Sequence, residues 1–275
     1  MGTLFLVATP IGNLEDISAR ALRTLSEVQL IAVEDTRKTG RLLKHFNIST
    51  RTTSYYEYNK ISKLDLILES LDTGDVALVS DAGTPALNDP GYELVCAALQ
   101  AGHAVSPIPG PSAPLAALVA SGLPTDSFVY LGYLPRKSAE RRRSILELEN
   151  LPYTLVFLET PHRLQEALAD LQEMLGDRQM AAARELTKLH EEILRSSISI
   201  VRQHFVSHPP RGEFTLVVAG KKIDSSASWT EEQLQSAIRA GLLQGESASA
   251  LAARLAGESG WERRKIYQKI IQHKA

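Results

Sequence analysis

Glu34-Asp35-Thr36-Arg37 sets two carboxylates beside a guanidinium, just after a short apolar run. A positioned carboxylate can take a proton from a hydroxyl. A guanidinium can hold a phosphate through two parallel hydrogen bonds. The same charges could equally pair with one another and only fix a loop. Further along, "ETPHR" offers His162 and Arg163 at a helix start. Histidine titrates near neutrality, but a lone loop histidine is also ordinary surface. Arg184, Glu185 and Lys188 gather in "ARELTK", as reacting groups or as solvated strand-end charges. Tyr55, Tyr56 and Glu57 could stack a base or line a contact between two copies. No metal site is expected, because the seven His are scattered and no H-E-x-x-H or Cys cluster occurs.

Such groups need elements to place them. Thr3–Ala8, Leu30–Val33, Val76–Val79 and Ala104–Pro107 read as buried strands, with Thr52–Tyr56 extended. Helices are expected between them at Lys38–Phe46, Ile61–Leu71, Gly91–Gln100 and Ser112–Ser121. Leu14, Ile17, Ala21 and Leu25 predict a first helix that opens on Glu15 and Asp16. Repeated strand-helix units imply an α/β fold with a mainly parallel sheet. Pro124-Thr125-Asp126 breaks the pattern. A second α/β unit then follows, with strands near 128–133, 153–158, 179–183, 191–195 and 213–220 and a helix over 161–175. Asp224–Ser228, with three Ser in five residues, reads as a linker to a helical tail. The expected domains are therefore 1–124, 125–223 and 224–275.

Ligands of an open parallel sheet bind beyond the carboxyl ends of its strands. Three unusual loops belong there: "ATPIGNLED" (8–16), the segment 81–91 within "LVSDAGTPALNDPG", and "PIPGPSAP" (107–114). The middle one is far longer than the two to six residues a strand-helix connection usually takes. Gly83 is expected to let backbone press against a ligand where a Cβ would intrude. Ser112 is expected to cap the helix that follows. No G-x-G-x-x-G or Walker-type glycine loop occurs, and the first helix is expected to open acidic. A nucleoside-like cofactor with a cationic centre suits such loops better than a pyrophosphate.

The chain has 275 residues, 44% hydrophobic and 23% charged, with a net charge of −2. No global positive field therefore draws it to nucleic acid. Any such contact must be local, at Arg141, Arg142 and Arg143 in "RKSAERRR", or at Arg263, Arg264 and Lys265 near the C-terminus. Each run could also be a solvated helix face. The tail reads as a helix over 248–255, a turn with Gly257 and Gly260, and a basic helix, which resembles a helix-turn-helix. The same hairpin could be a dimer arm. No run reaches 18 apolar residues, Cys96 is the single cysteine, and a cytoplasmic protein without a membrane partner is expected.

The stretches "LVATPIGNLEDIS", "EDTRKTGRLL", "LVSDAGTPALNDPG", "PIPGPSA", "FLETPHRL", "ARELTKLHEE" and "GEFTLVVAG" together resemble the tetrapyrrole-methylase superfamily. Within it they look like the small-subunit ribosomal RNA cytidine 2′-O-methyltransferases. The resemblance covers about residues 3–220. It implies S-adenosyl-L-methionine as methyl donor, two α/β domains with the cofactor between them, and a homodimer. It implies the small ribosomal subunit or its 16S RNA as substrate. Carried over by motif, the cofactor residues are Pro10, Asp81, Ala82, Gly83, Thr84, Leu87, Ser112, Ala113, Glu159 and Leu186. Glu34, Asp35 and Arg37 are then candidates for handling the ribose hydroxyl. A tetrapyrrole or other small-molecule acceptor, or a non-catalytic RNA-binding protein, is the alternative.

Overall fold

Short runs of Val, Leu, Ile and Ala build a first sheet buried on both faces. Its strands are β1 (Thr3–Val7), β2 (Leu30–Val33), β3 (Thr52–Ser54), β4 (Val76–Val79) and β5 (Ala104–Ile108). All are parallel, in the order β3-β2-β4-β1-β5. The connecting helices are α1 (Ala19–Glu27), α2 (Thr36–His45), α3 (Lys60–Thr73), α4 (Tyr92–Gln100) and α5 (Ala113–Ala120). Strand alternation sends Val76 and Leu78 toward α3 and α4, and Ala77 and Val79 toward α1 and α2. This computed structural model describes residues 1–222 and 229–274.

The first helix starts later than its apolar spacing predicts. Leu14–Asp16 forms a single 3-10 turn, and the Ser18 hydroxyl accepts the Ala21 N–H at 3.0 Å to cap α1. A serine oxygen satisfies a free helix-start donor that an apolar side chain cannot. Glu15 and Asp16 therefore lie in the loop, and α1 has no acid in its first turn.

The second sheet contains β6 (Phe128–Tyr133), β7 (Thr154–Glu159), β8 (Gln179–Arg184), β9 (Glu192–Ser197) and β10 (Phe214–Val218). Its order is β6-β7-β10-β8-β9, and only β6 and β7 run parallel. One face carries α6 (Ser138–Leu146), α7 (Leu164–Leu175) and α8 (Ile198–Ser207) over Leu155 and Phe157. α8 is a helix beyond those expected from the sequence. The other face, with Val156, Ala181 and Val217, packs on Ala117 and Leu118 of α5. Met1–Lys221 is consequently one compact unit, although the sheet changes at the expected boundary near residue 124.

The other unit, Lys222–Ala275, has α9 (Glu231–Leu243), α10 (Ala248–Ser259) and α11 (Arg263–Lys274). Leu234, Ile238, Leu251, Leu255, Ile266 and Ile270 form its own core. Gly257, expected in the turn, lies inside α10, which ends at left-handed Gly260. Arg263, Arg264 and Lys265 are exposed at the start of α11. The expected linker Asp224–Ser228 lies outside the described residues. Among the described residues, no helix is long and apolar enough to cross a membrane.

The run Arg141-Arg142-Arg143, expected to meet a polyanion, is divided by helix geometry. Arg141 and Ile145 share the buried face of α6. Arg141 is 1% exposed, and its Nε donates to Asp170 of α7 at 2.6 Å. Arg142 also reaches Asp170, at 2.7 Å, and bonds Glu173. Burial pushes the Asp170 carboxyl up, but the two guanidiniums outweigh it and hold the group below its ordinary range. Only Arg143 stays largely free, 4.0 Å from Glu147. Removing Arg141 leaves a buried charge short of a partner. Arg141→Ala is expected to cost about 3 kcal/mol, against less than about 0.5 for Arg143→Ala. Urea unfolding midpoints check this, and equal effects would refute a structural role for the pair.

Candidate active site

Four loops meet at the carboxyl edge of the first sheet and are tied together by hydrogen bonds. Thr9 and Gly83 exchange backbone bonds of 2.9 and 3.0 Å, joining the β1 and β4 loops. The Thr84 hydroxyl donates to the Pro111 carbonyl at 3.2 Å, joining the β4 and β5 loops. The β2 loop is held through Asp81. Its Oδ1 accepts the Asp35 N–H at 3.1 Å, its Oδ2 accepts Lys38 Nζ at 2.7 Å, and its own N–H donates to Glu34 at 3.2 Å. The extra backbone of 81–91 is wound through left-handed conformations at Gly83, Ala86, Asn88 and Gly91. Gly83 is needed for its φ of +84°. Within the protein an added Cβ would meet only ordinary contacts, 3.5 Å from Ile11. Ser112 sits before α5, where its carbonyl accepts the Ala116 N–H, but its hydroxyl caps nothing.

A cavity of about 270 Å³ opens between these loops and the second sheet. Asp81, Ala82, Gly83, Thr84, Leu87, Ser112 and Ala113 all line it. Pro10 lines a neighbouring cavity instead. Leu186 lines a small annex with Ile11 and Ala113. Glu159 does not line the cavity. On β7 it follows Leu155 and Phe157 onto the helix-covered face, while Leu158 faces the cavity. The Glu159 carboxylate is fully buried beside the Thr160 N–H and the Arg163 guanidinium, 3.3 Å away. Burial raises its pKa.

The lining also contains groups that motif reading missed, notably Lys38, Asn88, Asp89, Tyr130, Tyr133 and Glu213. Tyr130 and Tyr133 are three apart on β6, which should send them to opposite faces. A bulge between Tyr130 and Gly132 inserts one residue, so they pair with Val156 and Leu158 and share a face. Gly132 has φ +63°, and a Cβ there would lie 2.3 Å from Asn88. That close approach docks the β4 loop on β6. The Tyr130 hydroxyl is buried without a partner among the described residues, and burial pushes its pKa up to about 12.

The cavity is acidic. Glu34, Asp81, Asp89 and Glu213 line it, with Lys38 the one cation among its lining residues. Burial lifts the Asp89 pKa to about 6; a Ser80 hydrogen bond opposes this, and the nearby carboxylates add to it. Burial also raises Glu34. Asp35 is different. It caps α2 through the Arg37 N–H at 2.8 Å and pairs with the Arg37 side chain, which holds its carboxyl well below the usual range. Neither Asp35 nor Arg37 lines the cavity. Of the three expected groups, only Glu34 reaches the cavity. His162 is exposed away from the cavity. Arg184 lies 2.7 Å from Glu192, and Lys188 bonds Glu185 at 2.9 Å. Tyr55 is buried in the first core and cannot stack a base, while Glu57 pairs with Lys60.

The chain resembles proteins that are named as methyltransferases. Residues 3–201 match the tetrapyrrole (corrin/porphyrin) methylases. The ribosomal RNA small subunit methyltransferase I of Synechocystis sp. is 44% identical across 100% of this chain and 99% of that protein. The protein of the same name from Halalkalibacterium halodurans is 48% identical, over 84% of this chain and 81% of its own. Among solved structures, a uroporphyrin-III-C-methyltransferase from Thermus thermophilus superposes with a TM-score of 0.56 at 21% identity, covering 80% of this chain and 94% of that one. A diphthine synthase does so with a TM-score of 0.61 at 13% identity, covering 85% and 94%. The chain belongs to the tetrapyrrole methylases and, within them, to the family of the ribosomal RNA small subunit methyltransferase I proteins.

Proposed function

We propose that the protein transfers a methyl group from S-adenosyl-L-methionine to the ribose 2′-hydroxyl of a cytidine in small-subunit ribosomal RNA. The observation that carries this is the acidic lining of the cavity, with Glu34, Asp81, Asp89 and Glu213 against Lys38 as the one cation among the lining residues. A sulfonium gains from carboxylates and carbonyls, and the lining supplies them. The printed names of relatives above 40% identity favour an RNA acceptor. The solved uroporphyrin-III-C-methyltransferase, at 21% identity, resembles the chain in fold.

When bound, the donor presents a methyl carbon on sulfur; the acceptor oxygen takes it, the C–S electron pair returns to sulfur as a thioether, and the hydroxyl proton leaves. The backbone of Ala82, Gly83 and Thr84, with Leu87, Ser112 and Ala113, would hold the donor. Holding oxygen, carbon and sulfur in line can supply as much as about 7–11 kcal/mol. Glu34 would take the proton, a role supported by its position on the cavity wall and its raised pKa. Asp35 and Arg37 instead hold the loop and the α2 start. The exposed cations Arg263, Arg264 and Lys265 are assigned to RNA, with Arg143 the member of the α6 run left for it. A cytoplasmic homodimer completes the proposal. Lys60 reaches Glu93, so the exposed Ile61 and Tyr92 stand at neighbouring helix starts and offer apolar surface to a second copy.

A radiolabelled methyl-transfer assay on small subunits lacking the modification, followed by nucleoside analysis, tests the function. Base-methylated product, or none, would overturn it. Glu34→Gln is expected to lower kcat by about 10²–10⁴ with donor affinity within a few-fold, whereas Asp35→Ala should chiefly cost about 1 kcal/mol of stability through the lost cap. An unchanged kcat in Glu34→Gln would remove it as the base.

Asp89 carries a sign that can be checked. Its carboxylate favours a cation only when ionised, so donor affinity should fall as pH drops through about 6. Asp89→Asn should flatten that dependence, with weaker binding at pH 8. Calorimetric titration between pH 5 and 8 decides it, and a parallel slope in both proteins would assign the dependence elsewhere.

If Arg263, Arg264 and Lys265 each meet a phosphate, replacing all three by Ala should reduce the slope of log affinity against log salt by about 2, at roughly 0.7 per single-strand contact. A wild-type slope would leave α11 without phosphate contacts.

A further inference from the structure

A second cavity, of about 190 Å³, lies directly beside the acidic one, between the β1 loop and α2. Lys38 and Asp81 line both cavities, so their ion pair is the wall between them. The two differ in character. The second has an apolar side made by Pro10, Leu14 and Leu42, and a cationic side made by Lys38 and Arg41. Asp81 is its only acid, and that carboxylate is already engaged by Lys38. Arg41 is exposed and has no ion-pair or hydrogen-bond partner among the described residues.

The helix behind it extends the pattern. α2 reads TRKTGRLLKH, with four Lys or Arg and no Asp or Glu. Arg37, Arg41 and Lys44 fall at i, i+4 and i+7, on one face. Arg37 is held by Asp35, which leaves Arg41 and Lys44 as the free cations of that face. They stand three residues apart, about 4.5 Å along the axis. That suits a chain carrying a phosphate on each residue.

We propose that this second cavity is the acceptor-nucleotide subsite. Its apolar side would take the sugar and base, and Arg41 the adjoining phosphate. Lys44 continues the backbone track along α2. This rests on the RNA methyl-transfer function proposed above. It adds where the acceptor sits and which cations choose a nucleotide over an uncharged acceptor. An anionic acceptor and a cationic donor then approach from opposite sides of the Lys38–Asp81 pair. Glu34, bonded to the Asp81 N–H, stands at the same wall.

The test uses the full chain, an unmodified small-subunit RNA transcript for binding, and unmodified small subunits for turnover. Arg41→Ala/Lys44→Ala is expected to raise KM for the subunit at least tenfold, with kcat and calorimetric donor affinity within twofold. The salt slope of transcript binding should fall by about 1.4, at roughly 0.7 per contact. Arg41→Lys should restore much of the loss. Leu14→Glu, on the facing and half-exposed wall, should also raise KM by placing a carboxylate against the phosphate. Wild-type KM and salt slope in folded variants that still bind the donor would overturn the subsite. If wild-type protein methylates no RNA, the function falls, and the salt slope separately decides whether α2 holds a nucleic-acid backbone.

Discussion

One carboxylate, that of Asp81, organises the edge on which the site depends. It accepts the Asp35 N–H and the Lys38 ammonium, and its own N–H donates to Glu34. The β2 loop, the β4 loop and α2 are thereby held to one another by charge-assisted bonds. The parallel sheet makes this possible. β2 and β4 are neighbours, so their carboxyl ends deliver both acidic loops to the same place. The β1 and β5 loops then join through backbone bonds that need no particular side chain beyond Thr84.

Gathering Glu34, Asp81, Asp89 and Glu213 around one cavity is electrostatically unfavourable in the absence of a cation. Burial and mutual repulsion accordingly lift Glu34 and Asp89, and Lys38 opposes this for Glu34. Groups with pKa values pushed toward neutrality in a cleft are suited to proton transfer and to binding positive ligands. The Asp35–Arg37 pair shows the opposite solution a residue away. There the carboxylate is stabilised by a cap and a guanidinium, and it serves structure. Two adjacent acids thus have different surroundings because only Glu34 lines the cavity.

The first sheet was legible in the sequence because buried parallel strands are continuous apolar runs. The site loops were legible because Gly, Pro and small polar residues cluster there. What stayed hidden depends on contacts between distant segments. Tyr130 and Tyr133 share a face only through the β6 bulge. Glu159 turns away from the cavity because its strand parity matches Phe157. Arg141 looked like one of three equal surface cations until its partner on α7, 29 residues later, made it part of the core. The Ser18 cap was visible locally, and it outweighed the apolar spacing that ran through Leu14.

The same reasoning bears on how a chain of net charge −2 can handle RNA. Overall charge decides long-range attraction, but contact is decided within a Debye length of about 8–10 Å. α2 concentrates free cations with no acid among them, and its Lys38 end abuts the acidic cavity. Opposite potentials therefore stand on the two sides of a single ion pair. On the proposed function, a polyanion drawn to the basic face would be kept from the donor cavity by the carboxylates. A sulfonium drawn to the carboxylates is kept from the basic face. Only an uncharged reacting group, such as the sugar hydroxyl of the proposed reaction, would be free to cross between them, and that sorting would require no net charge on the protein.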